Sequence, residues 1–408
     1  MSRDAVFPWL CLSLAPGLGP RRGHRLVQHF GSAAECWQAV CRKDPELKNL
    51  LPAGTRRQLL PTEVERRAEQ VLRRCEASGW QVICLASAEY PHLLAQIPDP
   101  PLVLYLWGTL TPEDAWSLAI VGTRHATAYG KLHAHRLAQA LAQAGMTIIS
   151  GLARGVDAAA HQGALDASGR TLGVLAGGLD QVAPRENRSL ARQIADRGAV
   201  VSEQPPGVAP RGELFPVRNR IISGLSLGVL VVEADQRSGA LITATHALEQ
   251  GREVFALPGP VQNRTSRGPH RLLREGAHLV ESPQDVLQEL TTSPLLAAGA
   301  AAARAPAPTQ PAPTAQTPSA PEEPPAGKDD PRVPLPLAAS ACGESSDPAM
   351  QVLQTLQQQG GPCTVDQLVA ASGLPAGQVL AALNLLELQG RVQRSSGQLI
   401  QPTDAPSE

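Results

Sequence analysis

LAIVGTR (118–124), MTIISGLARG (146–155), TLGVLAGGLDQVAPR (171–185) and LGVLVVEADQRSG (227–239) are four versions of one unit. A short apolar run enters a glycine or serine turn, and an arginine follows within a few positions. Uninterrupted apolar runs are what strands need when helices cover both faces of their sheet. Such runs at 117–122, 146–150, 171–176, 199–202, 227–233 and 253–257 alternate with helix-length segments, the rhythm of βαβ units. The expected fold over 115–290 is therefore α/β, a doubly wound and mostly parallel sheet. Its turns gather at the carboxyl edge, where ligands of such sheets bind. Small residues let a ligand approach the backbone, helix N-termini favour anions, and arginine adds forked positive charge. A phosphate-rich ligand is the first implication.

The rest of the chain divides around that block. Residues 1–85 read as a helical domain, and LAPGLGPRRGHRLVQHFGS (14–32) within it has the form of a helix-hairpin-helix (SAM-like) unit with Arg21 and Arg22 beside the turn. Such a turn can offer backbone N–H groups to a DNA phosphate, or can serve packing alone. Residues 86–114 form a proline-punctuated connector with a short strand expected at 102–107. Between 291 and 347 lie twelve prolines in an Ala/Thr/Ser-rich background, a composition that cannot build a core and reads as a disordered linker. Residues 348–408 then read as a winged helix: helices at 349–358, 364–371 and 376–388, and a hairpin from 391 to 401. Its third helix holds no Lys or Arg, so contact with protein is favoured there over contact with DNA.

The net charge is −1 and only four of the 36 basic residues are lysine. Genome composition is the bland account of that arginine skew. Residues 115–290 hold 18 Lys+Arg against 15 Asp+Glu, a net of +3, too small an excess to argue nucleic acid without the arrangement. The seven cysteines are odd in number, include no CxxC pair and avoid the central block. A reducing cytoplasm is expected, with neither a disulfide framework nor a zinc site. The opening MSRDAVFPWLCLSL reads as a buried helix and not a signal peptide, and no apolar run approaches the ~20 residues that span a bilayer.

Several chemistries lack their signatures. The first turn, GTRHATAYG, has one glycine where a dinucleotide fingerprint wants three, and GxxxxGK[ST], GxSxG and HExxH are missing. Neither a cofactor nor a metal is expected. His161 and His246 sit on expected helices and read as structural. Asp157 has the place of a helix first-turn acid. Glu233, at the end of a very apolar strand, needs a partner, and an ion pair with an arginine of the RNR segment is preferred to a general-base role. Arg218 and Arg220 cannot share a helix face, so one would meet ligand and the other would fix the loop. Ser238 and Gly239 open a helix on the same sheet edge as Arg124.

At these residues the chain resembles the DNA-processing protein A (DprA/Smf) family. The resemblance rests on GTR (122–124), SGLARGVDAAAH (150–161), TLGVLAGGLD (171–180), FPVRNRIISGLS (215–226), VVEADQRSGALITA (231–244), REVFALPGPV (252–261) and SRGPHRLLREGAHLV (266–280). It implies an extended Rossmann fold that dimerises and a protein that is not an enzyme. It further implies a cytoplasmic binder that protects incoming single-stranded DNA and helps load a RecA-type recombinase during natural transformation. The resemblance places Arg124 and Arg185 in a basic pocket, with the RNR segment beside it. Two positions depart from the family pattern: Ala183 stands where an aromatic is usual and His270 where Asn is usual. Together with the turns, this yields an expected DNA-binding set of Gly122, Thr123, Arg124, Ser150, Gly151, Arg154, Gly155, Arg185, Arg218, Asn219, Arg220, Ser238, Gly239 and Thr243. With only Trp116, Tyr129, Phe215 and Phe255 as large aromatics in the block, backbone charge should outweigh base stacking. Two other readings stand beside this one: a nucleotide or nucleotide-sugar hydrolase on a related fold, and a scaffold that uses the winged helix as a protein hook.

Overall fold

The computed structural model describes residues 3–292 and, further on, 348–359, 364–372, 374, 379, 383, 386, 392–395 and 399–402. The linker expected over 291–347 lies, from residue 293 on, outside the described residues. The chain separates into two units at 313/314.

The first unit is built on a nine-stranded sheet. Its strands are β1 (Gln81–Cys84), β2 (Val103–Gly108), β3 (Ser117–Val121), β4 (Thr147–Ser150), β5 (Thr171–Leu175), β6 (Ala199–Ser202), β7 (Gly228–Val231), β8 (Glu253–Ala256) and β9 (His278–Leu279). They lie in the order β1-β2-β6-β5-β4-β3-β7-β8-β9. The seven from β6 to β9 are parallel, whereas β2 is antiparallel to both β6 and β1. All six strands expected in the central block are present; β6 has the expected bounds, four are one residue shorter than the apolar runs that foretold them, and β7 is three shorter. The antiparallel edge is the difference. The strand expected within the connector joins the sheet as β2, and β1 ends a segment read as wholly helical. Four residues of QVIC are too few to display a period, and β9 has only two.

The sheet is wound on both faces. Successive β3 residues alternate between two cores, Leu118 and Ile120 on one side and Ala119 and Val121 on the other, as a period-two strand must. Helices α8 (Ala128–Gln143), α9 (Val156–Asp166) and α14 (Pro283–Thr291) cover the first face, and α7 (His92–Ala95), α11 (Leu214–Gly224), α12 (Gly239–Glu249) and α13 (Arg267–Arg274) the second. Fully buried side chains such as Ile120, Leu141 and Phe255 each contribute roughly 1.5–3 kcal/mol. Helix α10 (Arg188–Arg197) shares a core with β2, β6 and the N-terminal helices α1 (Arg3–Leu14), α2 (Gly19–Phe30), α3 (Ala33–Arg42), α4 (Leu47–Leu50) and α6 (Pro61–Ser78); the short α5 (Ala53–Gln58) links α4 to α6. The turn between α1 and α2 runs through Gly17 and Gly19 at φ of 73° and 60°, which favour glycine.

The second unit contains α15 (Pro348–Gln359), α16 (Val365–Ser372) and an antiparallel hairpin, Val392–Ser395 with Leu399–Pro402. Of the third helix expected at 376–388, Val379, Leu383 and Leu386 are described. They are helical and buried with Val352, Leu356 and Leu368, and the rest lies outside the described residues.

Candidate nucleic-acid interface

Chain order reverses at β3. The strands β4, β5 and β6 are laid down on one side of it and β7, β8 and β9 on the other. The β3 and β7 turns therefore diverge and open a crevice at the carboxyl edge, the topological switch point of such sheets. A cavity of about 290 Å³ sits there, lined from the β3 turn by Gly122, Thr123, Arg124 and His125 and from the start of α12 by Ser238, Gly239, Ala240 and Thr243. The β4–α9 loop adds Ala153, the first turn of α9 adds Asp157, and α11 adds Phe215, Arg218, Asn219 and Ile222.

Each wall has a local cause. Ser238 is the N-cap of α12, its hydroxyl accepting from the Ala240 N–H at 3.3 Å, so the helix opens toward the cavity with its positive end. Gly122 can bear no side chain, because a Cβ there would meet the Glu233 carbonyl at 2.9 Å and the Val156 side chain. At Gly155, φ of 80° and the carbonyls of Thr123 and Arg124 leave room only for glycine. The β3 and β4 turns are thereby pressed together.

The cations of the site are held differently. Arg124 is exposed, and its guanidinium lies 4.7 Å from the centre of the Phe215 ring. Phe215 stands one helical turn before Arg218, whose guanidinium is 5.9 Å from the same ring; spacing of i,i+3 puts both on one face of α11. Arg218 is 6% exposed. It donates to the carbonyls of Gly151, at 2.7 Å, and Val174, and its Nε donates to Asn219 Oδ1 at 3.2 Å. Burial pulls its pKa down to about 10, opposed by Asp157 and reinforced by the charge of Arg124. Burial likewise pushes the Asp157 carboxyl up, against Arg218 and the amides of Ala153, Gly151 and Gly122. Asn219 Nδ2 donates to the Gly239 carbonyl at 3.2 Å, tying α11 to the start of α12.

Eight of the fourteen expected residues line this cavity: Gly122, Thr123, Arg124, Arg218, Asn219, Ser238, Gly239 and Thr243. The other six lie elsewhere. Arg220 is 4% exposed and bound to Glu203 at 2.6 Å and Asp99 at 3.4 Å. Ser150 is wholly buried, donating to the Ile120 carbonyl at 2.6 Å. Gly151 lies beneath Arg218 as its acceptor, and Gly155 is the contact point of the two turns. Arg154 is exposed and forked onto Glu186, with Nη2 to Oε2 at 2.8 Å. Arg185 is exposed at the end of the β5 loop. Phe215 was not expected in the site, although its i,i+3 spacing to Arg218 was there to be read.

Glu233 corrects the expected ion pair. Its carboxylate accepts from the Thr127 N–H at 2.9 Å, the Thr127 hydroxyl at 2.6 Å and the Thr265 hydroxyl at 3.1 Å. It holds the start of α8, where Thr127 is the N-cap; the buried pair with an RNR arginine belongs to Glu203. His161 is structural as expected, with Nδ1 against the Thr171 hydroxyl at 2.7 Å.

The sequence pattern of the family described as DNA recombination-mediator protein A matches residues 81–291. The Smf protein of Synechocystis is 36% identical over 408 residues, covering 95% of this chain and 96% of that protein. The chain belongs to the DNA recombination-mediator protein A family. Its role is that of a recombination mediator in DNA processing. A second pattern, the DprA winged helix domain, matches residues 302–398, so the second unit is a winged helix. The DNA processing protein DprA of Bacillus subtilis is 43% identical over 235 residues, 57% of this chain and 79% of its own. The crystal structure of DNA processing protein A from Streptococcus pneumoniae superposes with a TM-score of 0.58 at 32% identity, covering 69% of this chain and 97% of that one. Among the described residues no helix is long and apolar enough to cross a membrane.

Proposed function

We propose that the crevice between β3 and β7 binds the backbone of single-stranded DNA, and that the chain protects incoming strands and hands them to a RecA-type recombinase during transformation. The observation that carries this reading is the pair Arg124 and Arg218, both set against the Phe215 ring at the switch point, beside the amino end of α12. Arg124 and the α12 amides meet phosphate, and Arg218 supplies fixed charge from below. The site is for binding and not for catalysis. In support, its one lining carboxylate, Asp157, is buried against Arg218 and backbone amides instead of facing a substrate. The protein works in the cytoplasm as a homodimer, and the winged helix serves protein contact.

The test is fluorescence anisotropy with a labelled oligothymidylate at low salt. Arg124→Ala is expected to weaken binding about tenfold, with a shallower salt dependence because one phosphate contact is lost. Unchanged affinity would remove the crevice from the DNA path.

A further inference from the structure

The N-terminal helices carry a charge that the crevice does not use. Residues 1–85 hold 13 Lys+Arg against 8 Asp+Glu. Helix α2, GPRRGHRLVQHF, has three arginines and two histidines and no acid. Its inner face, Gly23, Leu26 and Val27, is buried, while Arg21, Arg22, Arg25, Gln28 and His29 are exposed. A Cβ at Gly23 would run into Leu102, so α2 is pressed against the residues that lead into β2, with its cations turned outward.

The location of that face follows from strand direction. β2 runs antiparallel to β6, pairing Tyr105 with Ser202 and Gly108 with Ala199. Residues just before β2, Asp99 and Leu102 included, therefore lie at the carboxyl edge of the parallel strands, the same edge as the crevice. A shared contact agrees. Asp99 Oδ2 is 3.7 Å from Arg21 Nε of α2 and 3.4 Å from Arg220 Nε of α11, the helix that carries Arg218. From β3 to β2 is four strand spacings, about 19 Å at ~4.8 Å each. The β4 and β5 loops, with Arg154 and Arg185, lie between.

Several acids along this edge have partners: Glu186 has Arg154, Asp180 has Arg74, Glu203 has Arg220, and Asp99 is shared between Arg220 and, at the longer distance, Arg21. Arg25, by contrast, has no ionic partner among the described residues. Arg22 donates to the Gly17 carbonyl at 2.8 Å, which fixes the turn without cancelling the charge. The outer face of α2 carries no exposed Phe, Tyr or Trp, so it is suited to grip a sugar–phosphate chain more than to stack bases.

We propose that α2 is a second DNA contact on this edge. A single strand held in the crevice continues across the β4 and β5 loops to Arg21, Arg22 and Arg25. This rests on the reading that single-stranded DNA occupies the crevice. It assigns the N-terminal domain a share of the binding and makes affinity depend on strand length.

The full-length chain is tested with fluorescein-labelled oligothymidylates of about 3 and about 15 nucleotides. The shorter covers roughly 10 Å at ~3.4 Å per phosphate and stops short of α2. The variant is Arg21→Ala with Arg25→Ala; both side chains are exposed, and Arg22 is kept so that the turn stays intact. The pair should leave affinity for the short oligomer within twofold and weaken the long one about tenfold. The slope of log K against log salt for the long one should become shallower by about 1.4, from two contacts at ~0.7 each. Lysine at both positions should restore the slope. An unaltered long oligomer, or equal weakening of both lengths, overturns the proposal. Arg124→Ala, run alongside, separates the two readings. If it abolishes short-oligomer binding while the double variant changes nothing, only the α2 contact falls. If the short oligomer ignores Arg124, the crevice reading beneath it falls.

Discussion

Gly151→Ala isolates the support of the buried cation. Gly151 does not have a positive φ, so its backbone accepts alanine without strain. The added methyl would instead run into Arg218, clashing with Nη1 and reaching 2.7 Å from Cζ and from Nη2. The guanidinium cannot give way sideways, because Nη1 is anchored on the Gly151 and Val174 carbonyls. It must rise into the crevice and surrender both bonds. Charge-assisted hydrogen bonds contribute roughly 1.5–3 kcal/mol each. The guanidinium regains water as it rises, and alanine stiffens the unfolded chain by about 0.4–1 kcal/mol, so the expected net loss is about 2 kcal/mol. Urea denaturation of the wild type, Gly151→Ala, Arg218→Met and the double variant forms a thermodynamic cycle. Because the cost of the methyl is routed through the guanidinium, it should shrink below about 0.5 kcal/mol in the Arg218→Met background, a coupling of about 1.5 kcal/mol. Two results would refute this reasoning: a single variant as stable as the wild type, or a methyl whose full cost persists without the arginine.

Arg220→Met strands Glu203 and Asp99, whose side chains are 17% and 21% exposed, and should cost about 3 kcal/mol. Burial already raises the Glu203 pKa, so its folded-state contribution is present below the ordinary carboxylate range and lost as pH rises through the raised value; the penalty should be larger at pH 8 than at pH 5, and equal penalties in urea melts at the two would count against the pair. His161 is fully buried with Nε2 unpartnered, and burial, helped by the charge of Arg218, pushes its pKa down to about 3 from 6.5. Stability should therefore be complete above about pH 6.5 and fall as pH drops toward 3, by up to about 5 kcal/mol; His161→Gln should flatten that fall, and an unchanged pH profile would exclude His161 as its source.

The parts of the fold legible in the chain are those whose signal is local. An apolar run bounded by a Gly or Ser turn is complete within ten residues, and every such run in 115–290 became a strand. What was hidden depends on distant partners. β2 is a strand by its own residues, but its place in the sheet comes from pairing with β6, nearly a hundred positions later. The site divides the same way. GTR and RSG were readable because one follows a strand end and the other opens a helix, and RNR because two arginines fall within three residues. The aromatic seat of Arg124 was not, because Phe215 comes from α11, far along the chain from the β3 turn. Glu233 was read correctly as needing partners and wrongly as to which. The donors it found are the Thr127 amide and two hydroxyls, groups that satisfy a carboxylate without a counter-ion.

The arginines of the carboxyl edge form a series ordered by what neutralises them. Arg220 is buried between two carboxylates, and its field is cancelled within the fold. Arg218 is buried against backbone carbonyls and one carboxyl that burial pushes toward its neutral form, so its charge is fixed in place and only partly cancelled. Arg124 is exposed, with a ring beneath it and no carboxylate bonded to it among the described residues. A polyanion needs cations in that last condition, and it needs them immobilised beforehand, since ordering a free arginine on binding costs about 0.5–1.5 kcal/mol. Phe215 meets the second requirement without cancelling the charge, as an acidic partner would. Removing Arg220 should thus lower stability and spare affinity wherever the fold persists, and removing Arg124 should do the reverse. Two residues from one sheet edge, alike in chemistry, differ in function because one faces carboxylates and the other faces a ring.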